Sequence, residues 1–194
     1  MIFWSVLEMI LSTRHKYNYV GLENISKTDA VLLLGNHVSW IDWILLQLPL
    51  DRKINYMMDK DIYYWKLMHY IFKKGEAIPI SKRGAKDALK EAGKRLENGK
   101  IVGLFPEGGI TEDGEIQKFF RGYEMIPKNY NGSIVPFYID GTFGSIFSKY
   151  KSKKKKSIFA RREITVYFGK AIPKDTKADE LQEIVQTMKI STLE

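Results

Sequence analysis

Apolar and polar positions follow two rhythms along this chain. Short runs rich in branched and aromatic residues recur: KYNYVGL (16–22), AVLLLG (30–35), KINYMM (53–58), EAIPI (76–80), KIVGLF (100–105), SIVPFYI (133–139) and EITVYF (163–168). Each has the length and side chains of a strand. Between them the spacing predicts helices over about 39–50, 61–73, 84–98 and 177–190. The clearest is 84–98, where Ala85, Ala88, Leu89, Ala92 and Leu96 recur at helical spacing and Asn98-Gly99 supplies the stop. Strands alternating with helices predict an α/β fold, a single domain with a largely parallel mixed sheet flanked by helices.

Composition narrows this picture. Hydrophobic residues make up 44% and charged residues 28% of 194, a globular balance with enough chain for a real core. There is no cysteine, which excludes disulfides, thiolate nucleophiles and cysteine-ligated zinc. Lysine plus arginine outnumber aspartate plus glutamate 31 to 23, a net +8 that attracts anionic partners. The densest basic stretch, SKYKSKKKKS (148–157), holds six lysines and reads as an exposed loop or hairpin tip. No run approaches the roughly 18–20 apolar residues of a membrane span. Residues 1–15 open with MIFWSVLEMIL, which contains Glu8 and lacks the marks of a signal peptide. They predict an apolar helix, either packed on the core or lying in a membrane interface, ahead of a domain over 16–194.

Two stretches carry candidate chemistry. NHVSWID (36–42) follows the AVLLLG strand. On a regular helix, residues five apart point about 140° away from each other. His37 and Asp42 can therefore meet only if His37 lies in the turn before a helix and Asp42 within it. Gly35-Asn36 ends the strand, and Ser39 is a candidate helix cap. An aspartate behind a histidine fixes its tautomer and makes a general base. The second stretch is LFPEGGITEDGE (104–115). Pro106 takes the chain out of the sheet, Gly108 and Gly109 allow close backbone approach, and Glu107 is expected at the mouth. Seen alone, either stretch also reads as ordinary structure. Lys82 and Arg83 follow one strand, and Arg121 stands among aromatics in KFFRGYE; each suits a phosphate or a solvated face. His15 and His69 have no partner spacing, and no metal-ligand cluster appears.

NHVSWID, AIPISKR, FPEGG and IVPF occur in the order and approximate spacing of the four blocks of the glycerolipid acyltransferase family, which includes lysophosphatidic acid acyltransferases. The chain resembles that family over about residues 16–170. FPEGGITEDGE, RGYE and GTFGSIF also resemble the acyltransferase half of 2-acylglycerophosphoethanolamine acyltransferase/acyl-carrier-protein synthetases. The resemblance implies a glycerol-3-phosphate acyltransferase-like fold. It implies that His37 takes the proton of a glycerol hydroxyl, with Asp42 orienting it, and that the oxygen attacks an acyl thioester with no acyl-enzyme. It implies that Glu107, Gly108 and Gly109 shape the acceptor site. The second block usually ends in an arginine that meets the acceptor phosphate. Lys82 occupies that slot here with Arg83 next, so the role is shared between them. The arginine that often follows the third block is absent; Arg121 is placed to compensate. Pro136 matches the fourth block and equally reads as a strand-end proline.

The implied activity moves a fatty acyl group from acyl-CoA or acyl-carrier protein, as co-substrate, to a lysophospholipid or lysophosphatidic acid, without a cofactor. An acceptor with a fatty chain implies peripheral or monotopic attachment to an anionic membrane surface on its cytoplasmic side. Contact candidates are the first helix, DIYYWKLMHYIFKK (61–74), whose aromatic stripe also reads as core, and the lysine run. The alternatives are a thioesterase-like hydrolase and a non-catalytic basic protein binding lipid or nucleic acid. Nucleic-acid motifs and base-stacking patterns are absent.

Overall fold

The seven apolar runs all become strands of one sheet in the computed structural model, which describes residues 15–81, 83–149 and 162–192. The strands are β1 (His15–Val20), β2 (Ala30–Gly35), β3 (Ile54–Asp59), β4 (Ile78–Ile80), β5 (Ile101–Leu104), β6 (Gly132–Asp140) and β7 (Arg162–Phe168). The helices are α1 (Asp42–Gln47), α2 (Lys60–Tyr63), α3 (His69–Lys74), α4 (Ala85–Glu97) and α5 (Ala178–Ser191). Strand order is β1-β7-β6-β2-β5-β3-β4. β6, β2, β5, β3 and β4 run parallel, while β7 is antiparallel to β6 and carries β1 parallel to itself.

β2 sits in the middle, and all six of its residues are buried. A strand covered on both faces needs an unbroken apolar run. Its side chains alternate: Ala30, Leu32 and Leu34 pack with α4 and α5, and Val31 and Leu33 pack with α1. α4 contributes Ala88, Leu89, Ala92 and Leu96 to the first layer, the positions that predicted it. Gly99, at φ 67°, ends that helix in the left-handed region.

The topology brings the ends of three of the four motif blocks, and the GTFGSIF stretch, to one edge, while the fourth block, IVPF, lies inside β6. In parallel neighbours the carboxyl ends share one edge of the sheet, where α/β proteins build their sites. NHVSWID leaves β2, FPEGG leaves the adjacent β5, Ser81 onward leaves β4, and GTFGSIF leaves β6, all at that edge.

Three local expectations change. The 39–50 helix shrinks to α1, because residues 37–41 are held as a turn by the Asp42 side chain. The 61–73 helix splits into α2 and α3, with Trp65 carbonyl capping the break by accepting from Met68 and His69 N–H. Tyr64, Trp65, Leu67 and Tyr70 are exposed, so no continuous buried stripe holds one helix together, and Phe72 alone of this stretch is buried. Pro136 lies within β6 rather than at its end; β7 pairs only from Phe137 onward, so the missing N–H costs no ladder bond there. The apolar first helix up to residue 14, Lys82 and the lysine run from 150 to 161 lie outside the described residues.

Candidate active site

Gly35 closes β2 so tightly against β6 that a Cβ there would stand 2.1 Å from the Phe137 carbonyl. The next residue, Asn36, is buried and clamps the β6 backbone: its Nδ2 donates to Ile139 O at 2.9 Å, and its Oδ1 accepts from Ile139 N at 2.7 Å. This side-chain pair continues the β2–β6 ladder one step past its end. It fixes where His37 leaves the sheet.

His37 Nδ1 lies 2.9 Å from Asp42 Oδ2. The same oxygen accepts from Val38 N–H at 2.6 Å and Ser39 N–H at 2.9 Å, and Ser39 Oγ donates to Oδ1 at 2.5 Å. An oxygen already receiving two N–H groups is an acceptor, so Nδ1 brings the proton. The imidazole is thus held in the tautomer whose Nε2 carries the free lone pair. Asp42 is fully buried and the His37 side chain is 20% exposed, which leaves the imidazole reachable and its orienting acid sealed. Ser39 is not the helix cap that its position implied. Ile41 occupies that place without a side-chain cap, and the Ser39 hydroxyl serves Asp42 instead.

The second loop braces the first. Phe105 stacks on the His37 ring, centroids 4.0 Å apart at 17°. Thr111 N–H donates to His37 O at 2.8 Å, and His37 N–H donates to Glu107 Oε1 at 3.1 Å. Both backbone polar groups of His37 therefore belong to FPEGGIT. Glu107 does not stand at the mouth, where its position implied. It is buried, turned back beneath His37, with Oε2 lacking a partner among the described residues. Burial pushes its carboxyl up from the ordinary 4.5 to about 8, against the lowering effect of the His37 and Gln117 N–H groups. Gly108 makes the reversal at φ 72°, its amide donating to Phe105 O at 3.1 Å. Gly108 and Gly109 are exposed, and a Cβ at Gly109 would meet nothing within 4 Å.

A sequence model of the family described as Acyltransferase matches residues 16–140. The chain belongs to the acyltransferase family. Among curated proteins it is 29% identical to a 1-acyl-sn-glycerol-3-phosphate acyltransferase of Bacillus subtilis, over 77% of this chain and 76% of that one. A Rhizobium meliloti lyso-ornithine lipid O-acyltransferase is 32% identical over 46% of this chain and 31% of its own length. The chain spans only 37% of the chloroplastic LPAT1 of Arabidopsis thaliana, at 26% identity. The fold is similar to the crystal structure of PlsC, the 1-acyl-sn-glycerophosphate acyltransferase of Thermotoga maritima. That match has a TM-score of 0.69 and 18% identity, and covers 97% of this chain and 79% of that one.

Within this family frame the structure separates the expected site residues. It brings His37, Asp42, Glu107, Gly108 and Gly109 together. Arg83 is exposed in the loop after β4, with β3 and β5 between that strand and β2. Arg121 follows Phe120, whose N–H donates to Pro106 O at 2.8 Å, so the residue lies beside the FPEGG loop. Its guanidinium, however, is 2.7 Å from Asp179 on α5, and both side chains are largely exposed. Four contributors escaped sequence reasoning: Asn36, Ser39 as a donor to Asp42, Phe105 and Thr111. Asn36 and Ser39 lie inside the motif, but their partners are backbone atoms of β6 and a neighbouring carboxylate. The fold brings those atoms near.

Proposed function

We propose that the protein transfers a fatty acyl group from an acyl thioester, coenzyme A or acyl carrier protein, to the free glycerol hydroxyl of a lysophospholipid or lysophosphatidic acid. The observation that carries this reading is the His37–Asp42 pair: one imidazole nitrogen engaged by a buried carboxylate, the other left for substrate. His37 Nε2 takes the hydroxyl proton as the oxygen attacks the thioester carbonyl. The tetrahedral intermediate collapses, the carbon–sulfur bond breaks, and the imidazolium returns its proton to the leaving thiolate. No covalent acyl-enzyme is needed, and the chain has no cysteine to form one. Ser39 Oγ is occupied with Asp42. Gly108 and Gly109 form the open side of the acceptor site. Lys82 and Arg83 take the acceptor phosphate, and Arg121 can join only by exchanging Asp179 for a ligand oxygen. Glu107 serves as a brace for His37. The relatives' names support acyl transfer to a lysolipid; the choice of head group and donor is ours.

The protein works at a membrane surface, attached peripherally on the cytoplasmic side. Among the described residues no helix is long and apolar enough to cross a membrane.

The test crosses acyl-CoA and acyl-carrier-protein donors against a panel of lysolipids and identifies products by mass. The expected result is a diacyl product whose formation needs both substrates and is lost in His37→Ala, with the variant still folded by circular dichroism. A positioned base contributes about 10²–10⁴ in rate. Thioester cleavage at an equal rate without acceptor would assign a hydrolase instead, and near-normal turnover of His37→Ala would remove the base.

A further inference from the structure

The break between α2 and α3 leaves a cluster of large side chains in solvent. Leu67 is 88% exposed, Tyr70 72%, Tyr64 55% and Trp65 52%. They are joined by Trp40, 41% exposed and three residues beyond His37, whose ring centroid is 6.0 Å from that of Trp65. Scattered exposed apolar residues are ordinary; four within residues 64–70, across the turn and the start of α3, with Trp40 against Trp65, form a patch. The patch is firmly mounted. Phe72 is buried and meets Trp43 of α1 edge-on at 5.6 Å, which seats α3 beside the His37 loop. Tyr64 stacks on His69 at 5.2 Å, and His69 Nδ1 lies 3.0 Å from the Tyr63 carbonyl.

We infer that this patch is a docking surface for an anionic phospholipid membrane, which sets the opening beside His37 against the lipid. Charge and chemistry favour that occupant. Residues 60–74 carry Lys60, Lys66, Lys73 and Lys74 against Asp61, and none of the four lysines forms an ion pair among the described residues. Trp and Tyr present an apolar ring with a polar tip, which suits the headgroup level of a bilayer, and lysines at that level are drawn to anionic lipid. A second copy would bring like charge onto like charge. An acidic carrier protein would satisfy the lysines but leave Leu67 and the rings in water. The catalytic consequence rests on the proposed acyl transfer; the docking itself does not.

The test uses the full chain with phosphatidylcholine vesicles, with and without phosphatidylglycerol, in the absence of substrate. Leu67→Ser/Tyr70→Ser is expected to weaken partitioning to both vesicle types by about tenfold. Its turnover of a short-chain, monomeric acceptor stays unchanged. Lys66→Gln/Lys73→Gln is expected to weaken partitioning only where phosphatidylglycerol is present. Both variants alter exposed side chains, and circular dichroism checks their folding. Unchanged partitioning of Leu67→Ser/Tyr70→Ser overturns the surface, as does a loss of self-association or of carrier-protein binding with vesicle binding intact. Patch-dependent vesicle binding in a protein that transfers no acyl group would sink the enzymatic reading alone.

Discussion

Asp42→Asn is the sharpest probe of the site, because the geometry dictates how the amide must sit. Asp42 Oδ2 receives Val38 N–H, Ser39 N–H and the His37 Nδ1 proton, whereas Oδ1 receives only the Ser39 hydroxyl. An amide NH2 facing two backbone donors would lose both bonds. The asparagine oxygen therefore keeps the Oδ2 place, and its NH2 faces Ser39 Oγ, which can turn to accept. The His37 tautomer and orientation survive, and the negative charge is what disappears. In the reaction that charge stabilises the imidazolium. Two unit charges about 4 Å apart interact by about 4 kcal/mol at an effective dielectric near 20. His37 is 20% exposed, so solvent screens part of this. About 3 kcal/mol remains, a loss of roughly 10² in kcat at about 1.4 kcal/mol per tenfold. Stability also falls, because bonds to a charged acceptor become neutral ones, by about 1–3 kcal/mol or roughly 3–10 °C in Tm. The assay is steady-state turnover with donor and acceptor saturating, beside a thermal melt. A kcat within a few-fold of wild type would refute the charge argument. A loss wholly explained by unfolded protein would refute the claim that the geometry survives.

Glu107→Gln tests the buried brace. The folded state holds a proton on Glu107 up to about pH 8, whereas the unfolded chain releases it near 4.5. Stability from this residue is therefore present below about pH 4.5 and is lost as pH rises through about 8, by up to several kcal/mol. The glutamine removes that dependence. Its melting temperature should fall less than wild type's across that pH range, and parallel curves would count against a buried, protonated acid. For the head-group cations, Arg83→Gln should raise KM for a phosphate-bearing acceptor more than Arg121→Gln, because Arg121 already holds Asp179. The reverse order would show that Arg121 lets go of that partner and that the exposed loop after β4 stays out of the site.

The sequence alone determined the sheet's strands, because a run such as AVLLLG can be satisfied only where both faces are covered, and the helical spacing of 84–98 left one apolar face to cover them. It also determined that His37 and Asp42 could meet only across a helix start, since no regular helix brings residues five apart together. The tertiary structure decided the rest. Which carboxyl ends share an edge depends on strand order, a product of long-range pairing that no local pattern encodes. The Ile139 backbone that holds Asn36 is 103 residues away, and the Glu107 carboxyl group that turns beneath His37 is 70 residues away. The aromatic stripe of 61–74 has core-like composition. Tyr64, Trp65, Leu67 and Tyr70 nonetheless face solvent, because the chain turns between α2 and α3, and among the described residues of the stretch Phe72 alone is buried, edge-on to Trp43 of α1.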